Sequence, residues 1–163
     1  FSDKIEKYIP AQKGKTHVLH IIRELLSFEP NSKGTDMAQA LQYFANAQKR
    51  HCTAFLISDF IGAGAVDKPL LIASNRHEVN AIQIYDRREA ELPNIGLVKF
   101  HDAESDKDLW IDTSLATVRD DYAQAWKQNQ DLLEQLFTRT GVNHISVRTD
   151  EDYVKALMHL FRC

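Results

Sequence analysis

The apolar positions of this chain shift repeatedly between a period near 3.6 and short continuous or alternating runs, a pattern that predicts helices interleaved with strands. Lys4 to Ile9 alternates weakly, with Ile5 and Ile9 separated by polar residues, and Pro10 closes it; the segment reads as a short edge strand. From Thr16 to Phe28 the residues Val18, Leu19, Ile22, Leu25 and Leu26 recur at helical spacing and predict one apolar face. The turn-forming stretch Pro30-Asn31-Ser32-Lys33-Gly34 follows. Thr35-Asp36 then opens a second amphipathic run through Leu41, Phe44 and Ala45. Cys52 to Ser58 is a continuous apolar run that ends at Asp59, the pattern of a strand buried on both faces in a parallel sheet.

A loop over residues 61–66, a helix from Asp67 to Arg76 and a strand from Val79 to Tyr85 then predict a parallel strand–helix–strand crossover. Pro93, Gly96 and two short runs, Leu97 to Phe100 and Leu109 to Asp112, predict an antiparallel hairpin around the polar turn Ser105-Asp106-Lys107. Val118, Tyr122, Trp126, Leu133, Leu136 and Phe137 mark a long helix stopped by Gly141. A strand from His144 to Arg148 and a final helix complete the chain. Thr149-Asp150-Glu151-Asp152 would cap that helix and Arg162 would sit at its last turn. The expectation is one α/β domain over residues 1–163.

Composition narrows the partners. With 20 basic and 23 acidic side chains the formal charge is -3, which gives no broad positive field for nucleic acid or an anionic membrane. The uninterrupted apolar stretches fall far short of the roughly 20 residues of a membrane helix. Cys52 and Cys163 lie far apart, so free thiols and a reducing, cytoplasmic compartment are expected. The chain begins at Phe1 and runs straight into a strand-like segment, which suggests polypeptide missing upstream.

Ligands of parallel α/β sheets gather beyond the carboxyl ends of the strands, where Asp59, Asp86 and Thr149 fall. Thr35 and Asp59 could project onto one edge of the sheet and offer a hydroxyl and a carboxylate to a hard cation such as Mg²⁺; equally, each could cap its own helix or turn. Gly62, Gly64 and Asp86 imitate a dinucleotide-binding fingerprint. Against that, Asp67 occupies the third glycine position and would repel a pyrophosphate from the helix N-terminus. A Mg²⁺-dependent hydrolase would need Asp36, Asp59 and Asp86 to converge. His17 and His20 are spaced to share a metal but lack a third ligand, and His51, His77, His101, His144 and His159 are scattered, with no plausible Cys–His constellation. Asp102, Glu104, Asp106 and Asp108 read either as a calcium-attracting cluster or as a solvated acidic turn.

Several segments taken in order carry a family resemblance. They are Lys33-Gly34-Thr35-Asp36, Leu56-Ile57-Ser58-Asp59-Phe60, Tyr85-Asp86-Arg87-Arg88-Glu89-Ala90-Glu91-Leu92-Pro93 and Trp110-Ile111-Asp112-Thr113-Ser114, with Phe1-Ser2-Asp3, Tyr8-Ile9-Pro10 and Leu160-Phe161-Arg162. Together they resemble the bacterial domain of unknown function 58 family over nearly the whole chain. The resemblance implies a von Willebrand factor A-like three-layer sandwich, mostly parallel, here lacking its N-terminal strands and carrying an inserted hairpin. It also implies a role beside MoxR-type AAA+ ATPases in protein-complex assembly or metal insertion.

Within that family pattern Thr35 and Asp59 match the second and third parts of a metal-ion-dependent adhesion site, whose first Asp-x-Ser-x-Ser-like loop is absent here. Weak Mg²⁺ binding is therefore expected of this chain. The absent first strand would pair with Cys52 to Ser58, so an open edge is expected, with dimerisation, swapping or a rearranged cover as the outcome. The function expected on these grounds is a non-catalytic protein-binding module. The dinucleotide-dependent oxidoreductase and the Mg²⁺-dependent hydrolase stand as alternatives.

Overall fold

A computed structural model describes residues 1–32, 34–62, 65–102 and 107–160. Three strands form a parallel sheet in the order β1-β2-β5, where β1 is Thr53–Ser58, β2 is Glu78–Tyr85 and β5 is Asn143–Arg148. Register runs from Thr53 opposite Glu78 to Ser58 opposite Gln83, and from Asn80 opposite Asn143 to Tyr85 opposite Arg148. The predicted crossover is present: α3, Asp67–Arg76, joins β1 to the parallel β2. A separate antiparallel pair, β3 (Leu97–Asp102) and β4 (Lys107–Asp112), is the predicted hairpin; Ser105 and Asp106 lie outside the described residues.

Side-chain alternation assigns the helices to two faces. Leu56, Val79 and Ala81 join Met37 and Leu41 of α2 (Met37–Ala47), Leu70 and Ala73 of α3, and Leu133, Leu136 and Phe137 of α5 (Ala116–Thr140) in the main core. Within it the rings of Phe60 and Phe137 meet edge to face at 5.3 Å. On the other face Ile82 and Ile145 pack under Ala156, Leu157 and Leu160 of α6, Tyr153–Leu160. α5 ends at Gly141, whose φ of 66° is the left-handed geometry that glycine adopts without a Cβ clash. α4, Arg87–Ala90, is a single turn closed by an Asp86/Glu89 capping box.

Three expectations are corrected. Residues Lys4 to Ile9 form no strand, and the Glu6 carboxylate accepts the backbone N–H groups of Asn31 at 2.8 Å and Ser32 at 3.3 Å. β1 is not buried on both faces. Phe55 and Ile57 are 44% and 56% exposed, because α6 covers β2 and β5 but stops short of β1. The cap of α2 is Asp36, whose Oδ1 accepts from Gln39 N–H at 2.8 Å, and not Thr35. Before α6 the expected cap is present as Asp152, which accepts from Val154 N–H, while Asp150 and Glu151 pair with Arg148; Arg162 lies outside the described residues.

α1, Lys15–Ser27, forms where its periodicity placed it, but none of its residues is buried and Leu25 and Leu26 stand well exposed. Among the described residues no helix is long and apolar enough to cross a membrane.

Candidate functional site

The carboxyl end of the parallel sheet is organised by one buried amide. Gln83, near the end of β2, donates from Nε2 to the carbonyl of Asp59 at 3.3 Å and accepts the Ser146 hydroxyl at 2.8 Å. It thus ties the turn after β1 to β5 across the middle strand. Phe60 then takes a positive φ of 58° and drops its ring into the core, while Ile61 N–H bonds Asp59 Oδ1 at 3.1 Å. The Asp59 carboxylate is left exposed on an anchored turn, and among the described residues its Oδ2 has no hydrogen bond.

Thr35 precedes α2, and the short connection 48–52 folds α2 back along β1, so that Ala40, Leu41 and Phe44 share a groove of about 290 Å³ with residues 53–56. That course sets Thr35 and Asp59 toward the same end of the sheet. No hydrogen bond joins them among the described residues, and Thr35 is exposed.

Asp86 is chemically different. Its Oδ1 accepts from Arg88 N–H at 2.8 Å and its Oδ2 from the Thr149 hydroxyl at 3.1 Å. These two bonds, the Arg88 amide first, hold its pKa below the ordinary carboxylate range. A cleft of about 510 Å³ opens beside it, lined by Arg87, Arg88, Glu91 and Asp150 among others. Asp36, Asp59 and Asp86 each accept a backbone N–H in a separate local turn.

The residues of the dinucleotide fingerprint have local partners of their own. Asp67 stands at the start of α3 and pairs with Arg139, Asp86 caps α4, and Gly64 lies outside the described residues. Asp108 bonds Lys99 at 2.6 Å and His101 at 3.0 Å, and these bonds, Lys99 first, lower its pKa; the Asp102 side chain, Glu104 and Asp106 lie outside the described residues. His17 and His20 stand with ring centroids 6.3 Å apart, and among the described residues no group of three potential ligands forms around them or elsewhere.

One pairing escaped the sequence reading. Cys52 Sγ lies 3.6 Å from Nδ1 of the buried His77, whose Nε2 has no partner among the described residues. The two residues immediately precede strands paired in parallel, Thr53 opposite Glu78, and that placement could have revealed them.

The model of the family described as "Protein of unknown function DUF58" matches residues 1–132. The chain belongs to the DUF58 family. It is 33% identical over 150 residues to an uncharacterized protein of Mycobacterium tuberculosis strain H37Rv and to one of Mycobacterium bovis, matching 90% of this chain and 46% of each relative. The chain therefore spans about half the length of these relatives. An uncharacterized protein of Mycobacterium avium is 30% identical over 158 residues, covering 94% of this chain and 92% of that protein. No solved structure matches the chain. Within this DUF58 chain the segment Tyr85 to Pro93, which carried part of the resemblance, forms the end of β2, the capping box and one wall of the 510 Å³ cleft.

Proposed function

We propose that this chain is part of a von Willebrand A-like, non-catalytic protein-binding module of the cytoplasm. In the intact parent Thr35 and Asp59 would contribute to a divalent-cation site. The observation that carries this reading is the exposed Asp59 carboxylate, fixed by Gln83 at the carboxyl end of the sheet with Oδ2 open.

The donor set fits an oxygen-preferring cation, since Asp59 offers a carboxylate and Thr35 a hydroxyl, and both are solvent-exposed. Two oxygens leave most of a six-fold shell to water or to other segments of the parent, which fits weak binding by these residues alone. A bound Mg²⁺ would supply a positive centre that a partner's carboxylate completes. Asp59 would position that centre through its anchored turn, and Thr35 would orient it from the start of α2. The family resemblance makes a MoxR-type AAA+ ATPase the partner to try first.

Calorimetric titration with Mg²⁺ and Mn²⁺, on this chain and on a version extended upstream, tests the reading. Binding by the extended version and its loss in Asp59→Ala are the expected results. No binding by either version would reduce Thr35 and Asp59 to structural residues and overturn the cation-dependent module.

A further inference from the structure

At the amino end of the parallel sheet, away from Asp59, two chemically active side chains are held together. Cys52 and His77 each sit one residue before a strand, and the register that sets Thr53 beside Glu78 brings them side by side. Backbone bonds fix both: Glu78 N–H bonds the Cys52 carbonyl at 3.0 Å, and His77 N–H bonds the Ala73 carbonyl at 2.9 Å at the end of α3. Cys52 Sγ lies 3.6 Å from His77 Nδ1. The imidazole is 3% exposed, its ring centroid is 4.8 Å from that of Phe44 on α2, and among the described residues its Nε2 has no partner. A buried histidine that serves packing alone ordinarily satisfies both nitrogens. Among the described residues the hydrogen bond this ring does make goes to a thiol. That is the pairing that activates a cysteine nucleophile, because the imidazole takes the proton as the sulfur attacks.

The thiol is also within reach of a ligand. Cys52 is half-buried and lines a groove of about 400 Å³ together with Ile5, Ile9, Ala40, Phe44 and Ala47. Phe44 thus touches both the groove and the imidazole. Lys7, the charged side chain of the groove, is paired with Glu24, so the lining favours an apolar ligand over an ionic one. We propose that Cys52 accepts a fatty acyl group from an acyl thioester, with His77 as its proton acceptor and the groove as the seat of the alkyl chain. The Cys52 sulfur attacks the thioester carbonyl, a new C–S bond forms and the bond to the departing thiol breaks. The proton that passes from Sγ to His77 Nδ1 is returned to that thiol. One thioester is exchanged for another, so the step needs neither an oxidant nor an energy source, and its product carries a covalently held alkyl chain in the groove.

The test uses the chain carrying Cys163→Ser, in EDTA, with N-acetylcysteamine thioesters of acetate, hexanoate and octanoate; intact-mass spectrometry reads the adduct. Expected is the gain of one acyl group, removable by hydroxylamine and absent in Cys52→Ser. Burial of the longer chain is expected to make octanoyl transfer about tenfold or more faster than acetyl transfer, a preference that free N-acetylcysteine lacks. His77→Gln is expected to slow transfer about tenfold or more at about pH 7 and to recover as the pH passes the ordinary thiol range, about 8.5, where solvent ionises the sulfur. A merely structural loss would persist at every pH. The other titratable groups about the pair are His51, with its ring 6.4 Å from that of His77, and Lys7, Tyr8 and Tyr43 along the groove; His51→Gln is expected to leave the rate unchanged. Ala47→Trp, on the exposed end of α2, leaves the buried pair intact and is expected to abolish the chain-length preference. No adduct at Cys52, a rate indifferent to chain length, a preference that survives Ala47→Trp, or His77→Gln as fast as the parent at neutral pH would overturn the proposal. EDTA keeps divalent cations out of the assay, so its outcome bears on Cys52 and leaves the cation reading to its own titration.

Discussion

Gln83→Leu tests whether one buried amide sets the geometry of the sheet's carboxyl end. Gln83 is 3% exposed and makes two hydrogen bonds, to the Asp59 carbonyl at 3.3 Å and from the Ser146 hydroxyl at 2.8 Å. Leucine fills a similar volume and makes neither. Each bond contributes about 0.5–1.5 kcal/mol net, and both former partners reach solvent at the strand ends, so the summed loss is about 1–3 kcal/mol. Burying a leucine in place of the amide offsets part of this, leaving about 1–2 kcal/mol. For a chain of this length each kcal/mol moves Tm by about 2–4 °C, so thermal unfolding followed by circular dichroism should fall by about 3–6 °C. Ser146→Ala should lose less, and the double variant should show a coupling of about 0.5–1 kcal/mol, because the two side chains share a bond. An unchanged Tm, or strict additivity with Ser146→Ala, would refute the view that Gln83 ties β1 to β5.

Three further outcomes are expected. Phe137→Ala, at a fully buried ring edge-on to Phe60, should cost about 3–5 kcal/mol in urea unfolding; a loss under about 1 kcal/mol would mean the main core is not organised around this pair. Glu6 is held down at about 2, first by the Asn31 backbone N–H and then by the Ser2 hydroxyl. With its folded pKa depressed from 4.5, its contribution is full above about 4.5 and disappears as pH falls toward about 2; Glu6→Gln should flatten the stability–pH curve in that window and leave the neutral-pH slope alone. Asp86→Asn, which weakens both the α4 capping box and the bond from Thr149, should lower the unfolding midpoint measurably, whereas Asp59→Asn should change stability little and reduce Mg²⁺ affinity of the extended parent. The opposite ranking would exchange their roles.

The elements that were legible in the sequence are those whose signals are local. α3 runs from Asp67 to Arg76 as its periodicity indicated, Gly141 stops α5, and the hairpin pairs Leu97 with Asp112. The failures depend on what lies across from a segment. The apolar run at β1 describes which side chains the strand carries, and identical residues would read the same with or without a helix above Phe55 and Ile57. Lys4 to Ile9 had the alternation of a strand, and only the long-range bonds from Asn31 and Ser32 to Glu6 show that it is held otherwise. Thr35 and Asp36 are both good capping residues at adjacent positions, and only the backbone decides that Asp36 bonds Gln39. Of the candidate site, the position of Asp59 beyond β1 was legible, but its anchoring was not: Gln83 looked like one polar residue within an apolar strand.

One opportunity for binding lies in the turn that follows β1. At its carboxyl end Asp59 offers an exposed charge whose turn is fixed from behind, a geometry suited to a cation or a basic group. The Gln83 amide holds the carbonyl of the residue whose carboxylate faces solvent, so the variant that removes the amide and the variant that removes the carboxylate separate the aim of the charge from the charge itself.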